Sequence, residues 1–131
     1  MALLVEIKAH LETLTPTVGT IYRGAFPATP NSAVMIAEYG GATPDLGFGV
    51  DGIAFESPGL QINVRGEPQA YDVPRALIQR IFLALAKVQG ATLSGVSYLM
   101  LHPVQSPFHK ETDSDQRKVF AVNFIANKVP S

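Results

Sequence analysis

The sequence predicts an α+β fold: an antiparallel or mixed β-sheet of four to five strands, two α-helices packed on one face, and a long C-terminal β-hairpin. Three observations carry that reading. Apolar residues recur at helical spacing in only two places; β-branched runs and period-two alternation fill much of the rest; and the strand candidates follow one another without a strand–helix–strand rhythm. With 131 residues, 47% hydrophobic and 16% charged, the chain has the length of one domain spanning 1–131 and enough apolar side chains for one core.

The first element is an amphipathic helix over roughly residues 2–14, where Leu4, Ile7, Leu11 and Leu14 alternate with Glu6, Lys8 and Glu12 until Pro16 ends the pattern. "VGTIYRGAF" and "SAVMIAEYGG" are short runs rich in β-branched and aromatic residues between Gly, Pro and Asn, and read as two strands. "GGATPDLGFGVDG" holds five glycines and a proline in thirteen residues, so it reads as a surface loop. Ile53 to Phe55 begins a strand that "ESPG" interrupts.

Leu60 to Arg65 is the clearest strand, with Leu60, Ile62 and Val64 on one face and Gln61, Asn63 and Arg65 on the other. From about residue 70 to 89 the period turns helical: Val73, Leu77, Ile81, Ala84, Leu85 and Val88 form a stripe, Pro74 suits a first turn, and Gly90 stands where a C-terminal cap is expected. Ile78, Phe82 and Leu83 widen that stripe, as in a helix covered on more than one side. "GVSYLMLHPVQSPF" and "KVFAVNFIANKV" then read as two long strands joined by the polar connection "HKETDSDQR".

Net charge is −1, with ten basic residues scattered among eleven acidic ones, which argues against phosphate-backbone binding as the main activity. No cysteine is present, so disulfides, thiolate metal sites and a cysteine nucleophile are excluded. The opening "MALLVEIKAHLETL" carries Glu6 early and no basic leader, a poor signal peptide, and no apolar run approaches the ~18 residues of a membrane span.

Catalytic patterns are missing. The three imidazoles, His10, His102 and His109, have no HExxH-type spacing around them, so no metal site is predicted. The serines sit in no GxSxG elbow, and the glycine-rich stretch lacks the Lys-Ser/Thr ending of a phosphate loop. No catalytic, cofactor-binding or metal residue is assigned, and the protein is expected not to be an enzyme. The charges at Lys110, Glu111, Asp113, Asp115, Arg117 and Lys118 fit a solvated hairpin tip that protects strand ends, or a loop that docks on a partner.

Four short segments in order, "EYGG" at 38–41, "PGLQINVRG" at 58–66, "QSPF" at 105–108 and "FAVNF" at 120–124, make the chain resemble the siphophage minor capsid or tail terminator family over nearly its whole length. The resemblance implies a structural virion protein that forms a hexameric ring at the head-proximal end of a long non-contractile tail, stops growth of the tube and joins it to the head. Its implied partners are further copies of itself, the tail tube protein and a head completion or stopper protein, with genomic DNA only passing through the lumen, no cofactor and no membrane. The implied location is the virion, after assembly in the host cytoplasm. Within that reading, Gln61, Asn63 and Arg65 are expected to face a neighbouring subunit or the lumen. His109, Lys110, Glu111, Asp113, Asp115 and Arg117 are expected to contact the tube. Two alternatives remain open: another neck or head-tail connector of the same fold, and a small-molecule-binding α+β domain with the glycine loop as lid and His102 as polar anchor.

Overall fold

Strand β9, Arg117–Lys128, is the axis of the molecule, because it is hydrogen-bonded along both of its edges. The computed structural model describes residues 3–46 and 53–130. Helix α1 (Leu3–Leu11) is followed by β1 (Ile21–Arg23), β2 (Ala33–Tyr39), β3 (Asp45–Leu46), β4 (Ile53–Phe55) and β5 (Gly59–Pro68). Helix α2 (Asp72–Ala86) then leads to β6 (Gln89–Leu93), β7 (Val96–Pro103), β8 (Phe108–Thr112) and β9.

The main sheet has seven strands in the order β1-β2-β5-β9-β7-β6, with β8 also paired to β9, and β3 and β4 form a separate two-stranded pair. This exceeds the four to five strands read from the sequence. Pairing is antiparallel except between β1 and β2, which run parallel. The glycine-rich stretch therefore contains β3, while residues 47–52 of it lie outside the described residues.

The core follows from period-two alternation. Val34 and Ile36 of β2 stand opposite Val64 and Ile62 of β5, which stand opposite Phe120 and Val122 of β9, so the inward-facing residues form continuous apolar rows. Onto these rows pack Ile78, Ile81 and Leu85 of α2 and Leu3, Ile7 and Leu11 of α1, all in one buried cluster. Each such side chain contributes about 1.5–3 kcal/mol by leaving water. The wide stripe expected for α2 is covered only in part: Leu77 and Phe82 are half-buried, whereas Val73 and Leu83 are exposed. Helix α1 touches β1 and β2 near one end of the strand order and β6 at the other, so the sheet curls beneath it.

Two elements differ from the sequence reading for identifiable reasons. Helix α2 stops at Ala86 with Lys87 as its cap, and Gly90, at φ +58°, belongs to β6 instead of closing the helix. Strand β6 returns to β7 through Ser94 and Gly95, both at positive φ, the two-residue turn whose twist suits a hairpin. The polar connection "HKETDSDQR" is mostly strand: β8 runs to Thr112 against the first half of β9, and the turn is confined to residues 113–116.

The motif residues pin this arrangement. Tyr39 lies opposite Gly59, where an added Cβ would come within 2.6 Å of the Tyr39 ring, and its hydroxyl donates to the Phe124 carbonyl at 3.1 Å. Gly41 passes so close to the backbone of Ser57–Gly59 that no side chain fits, and Gly66 abuts the Pro74 ring of α2. Gln105 accepts a hydrogen bond from the Asn123 amide at 2.8 Å, closing the step between β7 and β8.

Beneath α1 lies a charge pair. Lys128 Nζ is 2.7 Å from Glu6 Oε1, both side chains being at most 1% exposed, and the Tyr98 hydroxyl donates to the same Glu6 oxygen at 2.6 Å. The Lys128 ammonium also lies 5.5 Å from the Tyr98 ring centre and 3.6 Å from Glu56. Burial and the adjacent Glu6 carboxylate push the Tyr98 phenol well above its ordinary range, so it acts as a permanent donor. Glu6→Gln should destabilise the fold by about 3–5 kcal/mol, because it removes the carboxylate that lies 2.7 Å from the buried Lys128 side chain. The combined Glu6→Leu, Lys128→Met and Tyr98→Phe replacement should recover most of that loss in urea unfolding; equal damage in both variants would show that the pair contributes by packing alone.

Candidate functional site

The sheet face turned away from the core is polar along its middle. Gln61 donates to Asn123 Oδ1 at 3.0 Å and accepts from Asn63 Nδ2 at 3.1 Å, giving a directional relay of amides across β5 and β9. Lys110 of β8 reaches over it, with Nζ 3.3 Å from Gln61 Oε1 and 3.4 Å from Asn63 Oδ1. Asn63 is fully buried under this cover, and its amide also meets the Met35 sulfur at 3.8 Å. Gln61 and Asn123 remain half-exposed, beside the exposed apolar residues Val104 and Phe108.

Arg65 continues the same row but is only 5% exposed. Its guanidinium donates to the Asn31 carbonyl at 2.8 Å and to the Pro27 and Pro30 carbonyls at 2.6 and 2.8 Å, and it lies 4.7 Å from the Phe26 ring centre. In the isolated chain its donors are therefore directed at the chain's own loop 24–32. Desolvation, and then the nearby Arg117 charge, lower the Arg65 pKa, partly offset by Asp113 and Asp115. The guanidinium still stays charged, since its ordinary value lies so far above neutrality.

Arg117, 7% exposed, forks between two segments. Toward the hairpin turn its Nε donates to Asp113 Oδ2 at 2.7 Å and a terminal nitrogen lies 3.2 Å from Asp115. Toward the loop it donates to the Ala28 carbonyl at 2.8 Å and to Asn31 Oδ1 at 3.3 Å. Asn31 in turn donates to Glu67 at 2.9 Å. Asp113 also accepts from the Asp115 and Arg117 amides at 3.0 and 2.9 Å, which fixes the turn. Desolvation pushes the Asp113 carboxyl up, but these hydrogen bonds and the Arg117 charge outweigh it and hold the group below its ordinary range.

The six residues expected at the hairpin thus fall into different environments. Asp113 and Arg117 are engaged internally, Lys110 covers the amide relay, and Glu111 and Asp115 are exposed. His109 packs against Tyr71 and Phe120, with ring centres 6.4 and 5.5 Å away. Among the described residues no group of three or more His, Asp or Glu side chains is placed to hold a metal, and no helix is long and apolar enough to cross a membrane. Surface recesses of about 230–410 Å³ are present, but His102 lines none of them. Sequence reasoning missed the loop 26–31 as a partner of Arg65 and Arg117; its repeated prolines in "FPATP" were the available signal for a fixed, carbonyl-exposing turn.

Amide relays, clamped loops and inward-facing charges of this kind fix the positions of the surface groups around them. The pattern of a family described as bacteriophage tail terminator protein matches residues 9–130, and the chain belongs to that family. It is a structural virion protein of the phage tail. One solved structure shares its fold at a TM-score of 0.58 and 13% identity, over 97% of this chain and 90% of that one. No curated protein matches the sequence.

Replacing Arg65 with Ala should cost about 3 kcal/mol or more, because three loop carbonyls lose a charged donor together. Arg65→Lys should recover less than half, since one ammonium cannot fork to three acceptors. Urea unfolding and hydrogen exchange across 26–32 measure both effects, and an Arg65→Ala protein of wild-type stability with an unchanged loop would contradict the clamp.

Proposed function

We propose that this terminator assembles as a hexameric ring on the head-proximal end of a long non-contractile tail tube, stops its growth and offers the surface to which the head attaches. The observation that carries the reading is the family match along residues 9–130, which takes in the whole sheet and α2. Tube rings polymerise through complementary head-to-tail faces, so a cap has to match the last ring on one side and refuse a further ring on the other. Such a role asks for surfaces and not for a reaction.

The partners follow from that position: neighbouring copies, the tube protein on one side and a head completion protein on the other. DNA would pass through the lumen, and a net charge of −1 with dispersed basic residues avoids the grip of a basic channel. The half-exposed Gln61 and the Lys110 that covers the buried Asn63 would face a neighbouring subunit or the lumen, with Asn63 and Arg65 acting there through the groups they hold. The β8–β9 hairpin, from His109 through Arg117, would meet the tube.

Lys110→Glu should reduce ring formation on purified tube by at least 10-fold while the thermal melt moves by no more than a few degrees. Rings forming at wild-type level would remove the relay from the subunit contact.

A stop codon in this gene within its phage genome, followed by negative-stain electron microscopy of the lysate, tests the function itself. DNA-filled heads beside detached tails of irregular, excessive length are expected. Headless tails of normal length would instead indicate a neck connector, and intact virions would overturn the assembly role.

A further inference from the structure

We infer that the tube-facing contact is a single rigid surface built jointly by the 26–32 loop and the 113–116 turn, nearly neutral in charge, with Arg117 as the residue that positions the two parts. This rests on the proposed hairpin–tube contact and names the chemistry of that contact.

The sequence presents the hairpin as an acidic, solvated tip, but the two carboxylates of its 113–116 turn are engaged, while Glu111 on β8 is exposed. Asp113 and Asp115 both meet Arg117, and Glu67, at the end of the adjacent β5, accepts from Asn31 and from Ser32 at 3.5 Å. Arg65 and Arg117 in turn direct their donors into loop carbonyls. Charges that already hold partners lose part of those interactions if they turn to a new one, so a docking partner gains little from them. The side chains left outward are mostly small, neutral or polar: Ala28, Thr29 and Pro30 on the loop, and Ser114 and Gln116 on the turn, with Asp115 also exposed but 3.2 Å from the Arg117 guanidinium.

The two parts also move as one. Arg117 bonds both, Asn31 links the loop to Glu67, and the Gln69 amide donates to the Gln116 carbonyl at 2.7 Å, so strand β5, the loop and the turn share one hydrogen-bonded frame. A surface fixed in advance loses little conformational entropy on docking and recognises its partner by shape and neutral hydrogen bonds. The partner surface that fits is the terminal ring of the tail tube, presenting polar, uncharged groups at this contact.

The experiment is capping of purified tail tubes, read by electron microscopy and by pelleting, at 50 and 500 mM NaCl. Wild-type protein should cap with an affinity that changes less than about 2-fold over that range, where a charge-driven contact would weaken about 10-fold or more. Asp115→Asn should cap like wild type. Thr29→Trp on the loop and Ser114→Trp on the turn should each abolish capping with unchanged thermal melts, and Thr29→Gln, a milder block, should weaken it several-fold. Lys87→Trp at the far end of α2, roughly 20 Å of helix away, should have no effect.

If wild-type protein caps but the Thr29 variants cap equally well, the loop is not part of the contact and the inference fails. Steep salt dependence or a large loss in Asp115→Asn likewise overturns it while leaving the terminator function intact. Wild-type protein that caps no tube removes the hairpin–tube contact itself, and the inference with it.

Discussion

The pairing of β5 with β9 is the constraint on which the rest of the structure depends. Seven residues of β5, from Gly59 to Arg65, stand one-to-one against β9 from Ile125 to Val119, and β9 has β7 and β8 along its other edge. A slip of β5 by one residue against β9 would turn Asn63 into the core and Ile62 out of it. The pattern therefore admits one register. Small residues are placed where that register leaves no room: Gly59 beneath the Tyr39 ring, and Gly66 beneath Pro74. Four short segments with little apparent chemistry thus have a common physical basis, since they meet in pairs, "EYGG" with "PGLQ" and "QSPF" with "FAVNF".

Once the central register is set, the two ends of the sheet need separate fastening, because hydrogen-bonded rows do not hold the elements packed over them. At one end Glu6 of α1 meets Lys128 and Tyr98, joining the helix to the central strand β9 and to its neighbour β7. At the other, Arg65 and Arg117 hold a loop that has no regular hydrogen bonding of its own to keep it in place. Buried charges contribute less to stability than apolar packing of equal volume, so their presence at both ends is better explained by selection of one geometry over its neighbours. An assembly subunit needs that selectivity, since its contacts with other chains are specified by the positions of rigid surfaces.

Much of this was legible in the sequence where period and composition carry it. The Leu60 to Arg65 alternation placed β5 and its inner face, the apolar stripe from Val73 placed α2, and the hydrophobic runs before and after the charged connection placed β7 and β9. Strand β8 was not legible, because "FHKET" has no apolar face; it is a strand only because β9 offers a free edge beside it. Strand β6 was hidden by Gly90, which fits a helix cap equally well, although the following Ser-Gly pair marks its hairpin. The pairing of Glu6 with Lys128 was not legible, since nothing local to either shows that strands and a helix far apart in the chain enclose them both. Arg65 shows the same limit: alternation assigned its face correctly, but that face is covered by a loop more than thirty residues earlier.

Internal satisfaction of charge bears directly on what a terminating subunit has to accomplish. In the proposed role the tube end would be a surface already matched by the next tube ring, and the cap would compete with that ring for the same groups. Long-range charge would speed encounter but also attract anything of opposite sign, including the free tube subunits that the cap must exclude. A surface whose arginines and carboxylates are already engaged with one another offers no such general attraction. Discrimination then falls to shape, and shape is reliable only if the loop and turn that carry it cannot shift independently. The fork of Arg117 between Asp113 on one side and Ala28 and Asn31 on the other supplies that condition, so the same contacts that neutralise this end of the molecule also make it rigid.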